Sequence, residues 1–181
     1  MKEKNILEFL ERTVDRYPDQ VAVDDGQIIL TWKELKELSM RFGTAFSRTV
    51  KEGKPIVFLM EKSGPVLAAM YGAVYAGCFY VIIDPSQPAA RIRDILQVLE
   101  PSLVVTEEGN LPLLNEAGYG GGCELLKDLF QEKIQEEKLR RIRENSCGSD
   151  LLYGIFTSGS TGKPKGCLLY TSDAADDLTR V

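Results

Sequence analysis

Hydrophobic residues recur every three or four positions in several segments of the chain, which is the spacing of one helix face. A capping box at Asn5 predicts the start of a first helix. This helix is predicted to end near Tyr17, because Pro18 disfavours helical geometry in the residue before it. A second capping box begins at Thr31 and opens a longer helix. Its apolar stripe contains Leu35, Leu38, Phe42 and Phe46.

Short runs of β-branched and aromatic residues predict buried strands between the helices. These runs are residues 56–60, 79–83, 103–105 and 151–156. Further helices are predicted from Ser63 to about Ala76 and from Pro88 onward. Residues 21–30 predict a hairpin with a glycine turn. Alternating buried strands and amphipathic helices predict an α/β domain, with a mostly parallel sheet flanked by helices.

Two regions carry weaker patterns. Residues 118–122 predict a loose connection, and the charged segment 127–144 predicts one or two exposed, weakly anchored helices.

The most apolar stretch, 66–85, contains two glycines and an aspartate and ends in a β-branched run. We therefore predict a strand there and no membrane span.

Composition narrows the possible functions. The 181 residues are 44% hydrophobic and 27% charged, and the net charge of −5 with scattered lysines and arginines predicts no nucleic-acid or membrane partner. The four cysteines fit no zinc or CxxC spacing, so we expect free thiols, a reducing compartment and a cytoplasmic protein. The chain has no histidine, which excludes from this segment histidine-dependent nucleophiles and most transition-metal sites.

A loop rich in small and hydroxylated residues follows the last predicted strand. Its residues are Thr157, Ser158, Gly159, Ser160, Thr161, Gly162, Lys163, Pro164, Lys165 and Gly166. Glycines let successive backbone N–H groups turn toward an anion, hydroxyls add donors and lysines add positive charge. The loop therefore predicts a polyphosphate site, against the alternative of a mobile Ser/Gly linker.

The loop matches neither common nucleotide motif. In a Walker A motif a glycine would occupy the position of Thr157, and a serine or threonine the position of Pro164. The Rossmann GxGxxG pattern is also absent. An NTPase or kinase with an atypical loop stays open as an alternative.

The segment Tyr153–Gly166 resembles the signature phosphate loop of the acyl-adenylate-forming superfamily, which includes acyl-CoA synthetases, luciferases and adenylation domains of nonribosomal peptide synthetases. Residues 30–35 and 76–84 are similar to two earlier core motifs in the same order, and Arg91 follows as in those domains. The resemblance implies the N-terminal part of the family's large domain. The strand motif at 80–84 favours the amino-acid-activating branch, including ligases that charge a carrier protein with D-alanine. Acyl-CoA or aryl acid ligases remain the alternative.

The resemblance implies activation of a carboxylic or amino acid by ATP and Mg²⁺, giving acyl-AMP and pyrophosphate. The acyl group would then pass to a phosphopantetheinyl carrier protein or to coenzyme A. It further implies that the hydroxyls of the loop donate to the β- and γ-phosphates, that its glycines permit the bends, and that Lys165 and Lys163 offset charge. No catalytic residue and no protein metal ligand is assigned. A carboxylate is already ionised at neutral pH, so this attack needs no general base.

The end of the sequence breaks the resemblance. Residues 167–177 match the translation of a transposase sequencing adaptor over eleven consecutive positions. We therefore expect residues 1–166 to be a partial AMP-binding domain and residues 167–181 to be an adaptor-derived artefact. A polar helix capped by Ser172 is the alternative. The 181-residue chain itself is expected to be inactive, or at most a non-catalytic nucleotide-binding fragment, and the sequence leaves open whether it folds alone.

Overall fold

The computed structural model describes residues 5–158 and 164–171. Helices α1 to α6 are Ile6–Arg16, Trp32–Thr49, Gly64–Tyr75, Ala89–Leu99, Leu111–Glu116 and Glu136–Asn145. Strands β1 to β8 are Val21–Asp24, Ile29–Thr31, Pro55–Leu59, Phe79–Ile83, Leu103–Thr106, Cys123–Leu125, Leu151–Ser158 and Pro164–Tyr170. Two 3₁₀ turns are Glu108–Asn110 and Leu126–Leu129.

The described residues form a six-stranded sheet in the order β6-β5-β3-β4-β7-β8. Neighbouring strands from β6 to β7 are parallel, whereas β8 pairs antiparallel with β7. Strands β1 and β2 form a separate antiparallel hairpin. The predicted α/β class with a mostly parallel sheet is confirmed.

Side-chain caps set the predicted helix starts. Asn5 accepts a hydrogen bond from the Leu7 N–H at 2.8 Å and begins α1. Thr31 and Glu34 form both bonds of the capping box that begins α2. Because each cap satisfies backbone donors that would otherwise lack a partner, these starts could be predicted from local sequence.

Alternate residues of each central strand face opposite sides of the sheet, and each side has its own core. Ile56 and Phe58 join the core beneath α1, α2, α3 and α6, which also contains Phe42 and Phe46. Val57 and Leu59 join the second core, beneath α4 and α5. Helices on both faces explain why these strands are continuously apolar.

The prediction of weakly anchored helices in the segment 127–144 is wrong for α6. Leu139 and Ile142 are buried, and the Arg143 guanidinium donates to Glu11 at 2.9 Å and to the Asn5 side-chain oxygen at 2.7 Å. These contacts tie α6 to α1. Helix α5 and strand β6, which were not predicted, complete the connection between β5 and α6.

Strand β8 extends to Tyr170 and so includes Cys167–Tyr170, which the sequence reasoning left out of the fold. Cys167 pairs with Ile155 and Leu169 pairs with Tyr153. Pairing of this kind uses backbone groups and accepts many side chains. The origin of residues 167–181 stays a prediction, and 172–181 lie outside the described residues. In the part of the chain that is described, no helix has the length and apolarity to cross a bilayer.

Two glycines allow α2 and α3 to cross closely. A Cβ at Gly72 would lie 2.8 Å from the Phe42 Cβ and 3.0 Å from the backbone of Gly43 and of Ser39. Replacing Gly72 with alanine should destabilise the protein, because overpacking costs about 1–3 kcal/mol while alanine gains at most ~1 kcal/mol in helix propensity. Urea unfolding of the chain measures the change. Gly109→Ala is the control, since nothing lies within 4 Å of its Cβ position. Equal unfolding midpoints for both variants would contradict the close crossing.

Asp25 links the β1–β2 hairpin to the start of α3. Its carboxylate accepts hydrogen bonds from the backbone N–H groups of Gly64 at 2.7 Å, Ile28 at 2.7 Å and Gln27 at 2.9 Å. These bonds, the one from Gly64 most of all, lower the pKa of Asp25 below its ordinary value of 3.8. A negative charge at the N-terminus of a helix is also favourable.

Replacing Asp25 with alanine should lower the urea midpoint at neutral pH. A lowered folded-state pKa stabilises the fold above the unfolded value of 3.8, and this contribution is lost as the pH falls through the folded pKa. The difference between Asp25→Ala and the unmodified chain should therefore shrink at pH values well below 3.8. Asp19→Ala, at an exposed aspartate, serves as the control. A difference that stays constant with pH would show that the carboxylate charge is not responsible.

Candidate phosphate-binding site

The described ends of the predicted phosphate loop are the last residues of β7 and the first residues of β8, and β7 ends at the carboxyl edge of the parallel strands. Strand β7 pairs with β4 at Tyr80–Tyr153 and Val81–Gly154. After Gly154, β7 continues to pair with β8, as far as Ser158 opposite Pro164. The end of β7 therefore projects past its pairing with β4, at the edge where α/β sheets bind ligands.

The antiparallel register brings two of the predicted phosphate-binding residues together. Thr157 lies directly opposite Lys165. Opposed residues of an antiparallel pair share a face, with Cβ atoms about 4.5–5.5 Å apart. Both side chains are exposed, so a hydroxyl donor and an ammonium are presented together to solvent. This pair suits an anionic group with several acceptor oxygens, such as a phosphate.

The opposite face of the hairpin is apolar and tightly packed. Phe156 packs against the second core and lies opposite Gly166. A Cβ at Gly166 would be 3.2 Å from two carbons of the Phe156 ring. Gly154 is similarly enclosed, because its Cβ position is 3.1 Å from Val81 and 3.2 Å from Leu168. The two glycines therefore allow close contacts on this face.

The stack of Tyr80 on Tyr153 supports the hairpin on its other side. The ring centroids are 5.8 Å apart and the rings are 17° from parallel. Burial raises the pKa of the Tyr80 hydroxyl above its ordinary range, so the phenol is neutral at physiological pH. The stack spans the β4–β7 pair and contributes to holding β7 at the correct level on the sheet.

An ionised carboxylate lies at the same edge of the sheet. Asp84 follows β4, and its side chain accepts a hydrogen bond from the Ser86 N–H at 2.8 Å. The Ser86 hydroxyl, followed by this N–H, lowers the pKa of Asp84, and the charge of Lys62 contributes. This edge of the sheet therefore carries both a negative charge, at Asp84, and a positive charge, at Lys62.

The structure places four of the nine predicted site residues. Thr157, Ser158, Lys165 and Gly166 belong to the two strand ends. Gly159, Ser160, Thr161, Gly162 and Lys163 lie outside the described residues. The prediction that Gly166 permits a bend is wrong, because Gly166 lies within strand β8, paired opposite Phe156 and without a positive φ. The sequence reasoning also missed Phe156. An aromatic residue next to a β-strand end, with glycine on the returning strand, was the signal that could have identified it.

Residues 5–158 and 164–171 contain no cluster of three or more histidine, cysteine, aspartate or glutamate side chains that could hold a metal ion. Mg²⁺ is commonly held by one or two carboxylates together with the phosphates of its substrate. The donors of the hairpin, a hydroxyl and an ammonium, fit a phosphate chain, and a metal ion would reach this site together with the nucleotide.

Comparison with known proteins shows the family. The model of the family described as AMP-binding enzyme matches residues 10–181. Tyrocidine synthase 1 of Brevibacillus parabrevis is 31% identical over 167 residues, covering 92% of this chain and 15% of that protein. The cyclosporin synthetase of Tolypocladium inflatum is 34% identical over 176 residues, covering 93% of this chain and 1% of that protein. This chain thus spans a small part of these curated relatives.

Solved structures share the fold. VinN in complex with 3-methylaspartate superposes with a TM-score of 0.83 at 21% identity, over 98% of this chain and 51% of VinN. The nonribosomal peptide synthetase FmoA3 in its AMPPNP-bound form gives a TM-score of 0.81 at 24% identity, over 99% of this chain and 18% of FmoA3. At these identities the likeness concerns the fold.

Proposed function

Because this chain belongs to the AMP-binding enzyme family, we propose that its parent protein uses ATP to activate a carboxylic acid as acyl-AMP, releasing pyrophosphate. The observation that carries the proposal is the pairing of Thr157 with Lys165 at the carboxyl edge of the sheet. This pair presents a hydroxyl donor and an ammonium at the two ends of a loop whose composition suits a polyphosphate.

The β- and γ-phosphates of ATP are proposed to lie on this hairpin. Thr157 donates its hydroxyl proton and Lys165 supplies a positive charge, both from the same face. The rest of the proposed site is Ser158, Gly159, Ser160, Thr161, Gly162, Lys163 and Gly166. FmoA3, which shares the fold, has been solved with the ATP analogue AMPPNP.

The acid acts as nucleophile toward the α-phosphorus, forming the acyl–phosphate bond as the bond to pyrophosphate breaks. Its carboxylate is ionised at neutral pH, so no protein base has to remove a proton. The hairpin contributes alignment and stabilises charge on the departing pyrophosphate. When bound with the nucleotide, Mg²⁺ neutralises part of the same charge.

The substrate is proposed to be an amino acid and the acceptor a phosphopantetheinyl carrier protein. A relative from Emericella nidulans, 31% identical, is named as a nonribosomal peptide synthetase, and VinN was solved with 3-methylaspartate. Coenzyme A as acceptor, or an aryl acid as substrate, are the alternative outcomes. A cytoplasmic location is proposed from the free thiols of Cys78, Cys123 and Cys147.

In the complete enzyme, Thr157→Val should lower kcat/KM for ATP by roughly tenfold or more, because a hydrogen bond to a charged group contributes about 1.5–3 kcal/mol. Combining it with Ser160→Ala should lower the value further. Acid-dependent ATP–pyrophosphate exchange measures the effect. The matched control is Thr49→Val, at an exposed threonine near the opposite edge of the sheet, where α2 ends. Exchange by Thr157→Val at the rate of this control would contradict the assigned role.

Residues 1–166 are proposed to be a partial AMP-binding domain, followed by adaptor-derived residues 167–181; the isolated chain is proposed to be inactive. The eleven-residue match at 167–177 supports this assignment.

Sequencing genomic DNA across the codon for Gly166 tests the assignment. The native gene should diverge from the present sequence at residue 167 and continue the reading frame into the remainder of an AMP-binding domain. Genomic DNA that encodes Cys167–Asp177 would overturn it.

A further inference from the structure

The end of β7 needs contacts other than strand pairing to keep it ordered. Residues 155–158 lie beyond the paired rungs Tyr80–Tyr153 and Val81–Gly154, and their recorded partner strand is β8. A two-stranded hairpin is by itself only marginally stable in water. Yet Thr157 must stay opposite Lys165 for both side chains to reach one phosphate chain.

The Phe156 ring supplies that order through two contacts. It packs against the second core, which contains Val57, Leu59 and Ile83. It also covers Gly166 on the returning strand, where a Cβ would lie 3.2 Å from the ring atoms Cε1 and Cζ. One side chain thus connects the projecting β7 end, β8 and the body of the domain.

The ring contact selects the register of the hairpin. A slip of β8 by one residue would place Lys165, or whichever residue the native gene encodes at position 167, opposite Phe156 in place of Gly166. A side chain there would occupy space that the ring fills against the glycine, and the slip would also reverse which face each β8 side chain points to. Aromatic cover of a strand glycine is a known means of setting register.

We propose that Phe156 is a positioning residue of the phosphate site: by packing over Gly166 it holds Thr157 opposite Lys165 and so orders both ends of the loop for ATP. This inference rests on the proposed function. Phe156 itself lies on the other face of the hairpin from Thr157 and does not touch the phosphates. Its effect on ATP is therefore indirect.

The test uses the complete enzyme from the uninterrupted gene and acid-dependent ATP–pyrophosphate exchange. Phe156→Ala should raise KM for ATP about tenfold, with a change of less than about twofold in KM for the acid. Ile155→Ala is the matched control, since Ile155 precedes Phe156 on the same strand, is 48% exposed and points to the other face. It should leave both constants within about twofold of the unmodified enzyme. Phe156→Tyr keeps the ring and should restore most of the ATP affinity.

A double-mutant cycle tests the contact directly. Gly166→Ala should raise KM for ATP, because the added Cβ meets the ring. In a Phe156→Leu background the same substitution should cost several-fold less, since the flat ring that fills the space is gone. Strictly multiplicative effects of the two substitutions would show that Phe156 and Gly166 act independently, and would overturn the inference. Because Phe156→Leu retains an apolar side chain, the cycle also serves if Phe156→Ala fails to fold.

The outcomes separate this inference from the proposed function. An unmodified enzyme without acid-dependent exchange would refute the proposed function. An active enzyme in which Phe156→Ala behaves like Ile155→Ala would refute the positioning role alone. Equal increases in KM for ATP and for the acid, together with a lower Tm, would show a general loss of stability and would also refute it.

Discussion

The parallel pairing of β7 with β4 is the interaction on which the candidate site depends. A parallel strand can join the sheet only after a crossover connection, and here the chain passes from β6 through α6 before it returns beside β4. The bonds from Arg143 to Glu11 and Asn5 fix α6 against α1. This anchoring holds the segment that precedes β7, and the pairing of Tyr153 and Gly154 with β4 places the end of β7 at the carboxyl edge.

Much of the fold could be predicted because the signals for helix starts and central strands lie in short runs of consecutive residues. Capping boxes and apolar spacing identify helix starts, and β-branched runs identify central strands buried on both faces. Strand β4 was predicted with its observed bounds, Phe79–Ile83. Strand β6 and the anchoring of α6 could not be predicted in this way. The three residues of β6 are ordered by pairing with β5, and α6 is ordered by contacts with residues over a hundred positions away.

The candidate site likewise has a part that could be predicted from local sequence and a part that could not. The residue types of the loop allow a ligand to be predicted from the sequence, and that polyphosphate site stays a prediction. The geometry of the site could not be predicted, because the partners Thr157 and Lys165 become neighbours only through the register of β7 on β8. The proposed positioning contact, Phe156 over Gly166, supports that register. Motif reading named Gly166 but passed over Phe156, because it favours residues that carry chemistry or permit a bend.

Charge at the carboxyl edge gives the arrangement a further consequence. Lys165 and Asp84 bring opposite charges to that edge; hydrogen bonds from Ser86 and the charge of Lys62 lower the pKa of Asp84 further below neutral. In the proposed site, a polyphosphate is attracted by the lysines and repelled by Asp84, so its affinity depends on how close each charge lies to the bound oxygens. The register that brings Lys165 beside Thr157 sets one of these distances. Through that register, the proposed apolar contact of Phe156 with Gly166 on one face of the hairpin acts on the charge that the other face presents.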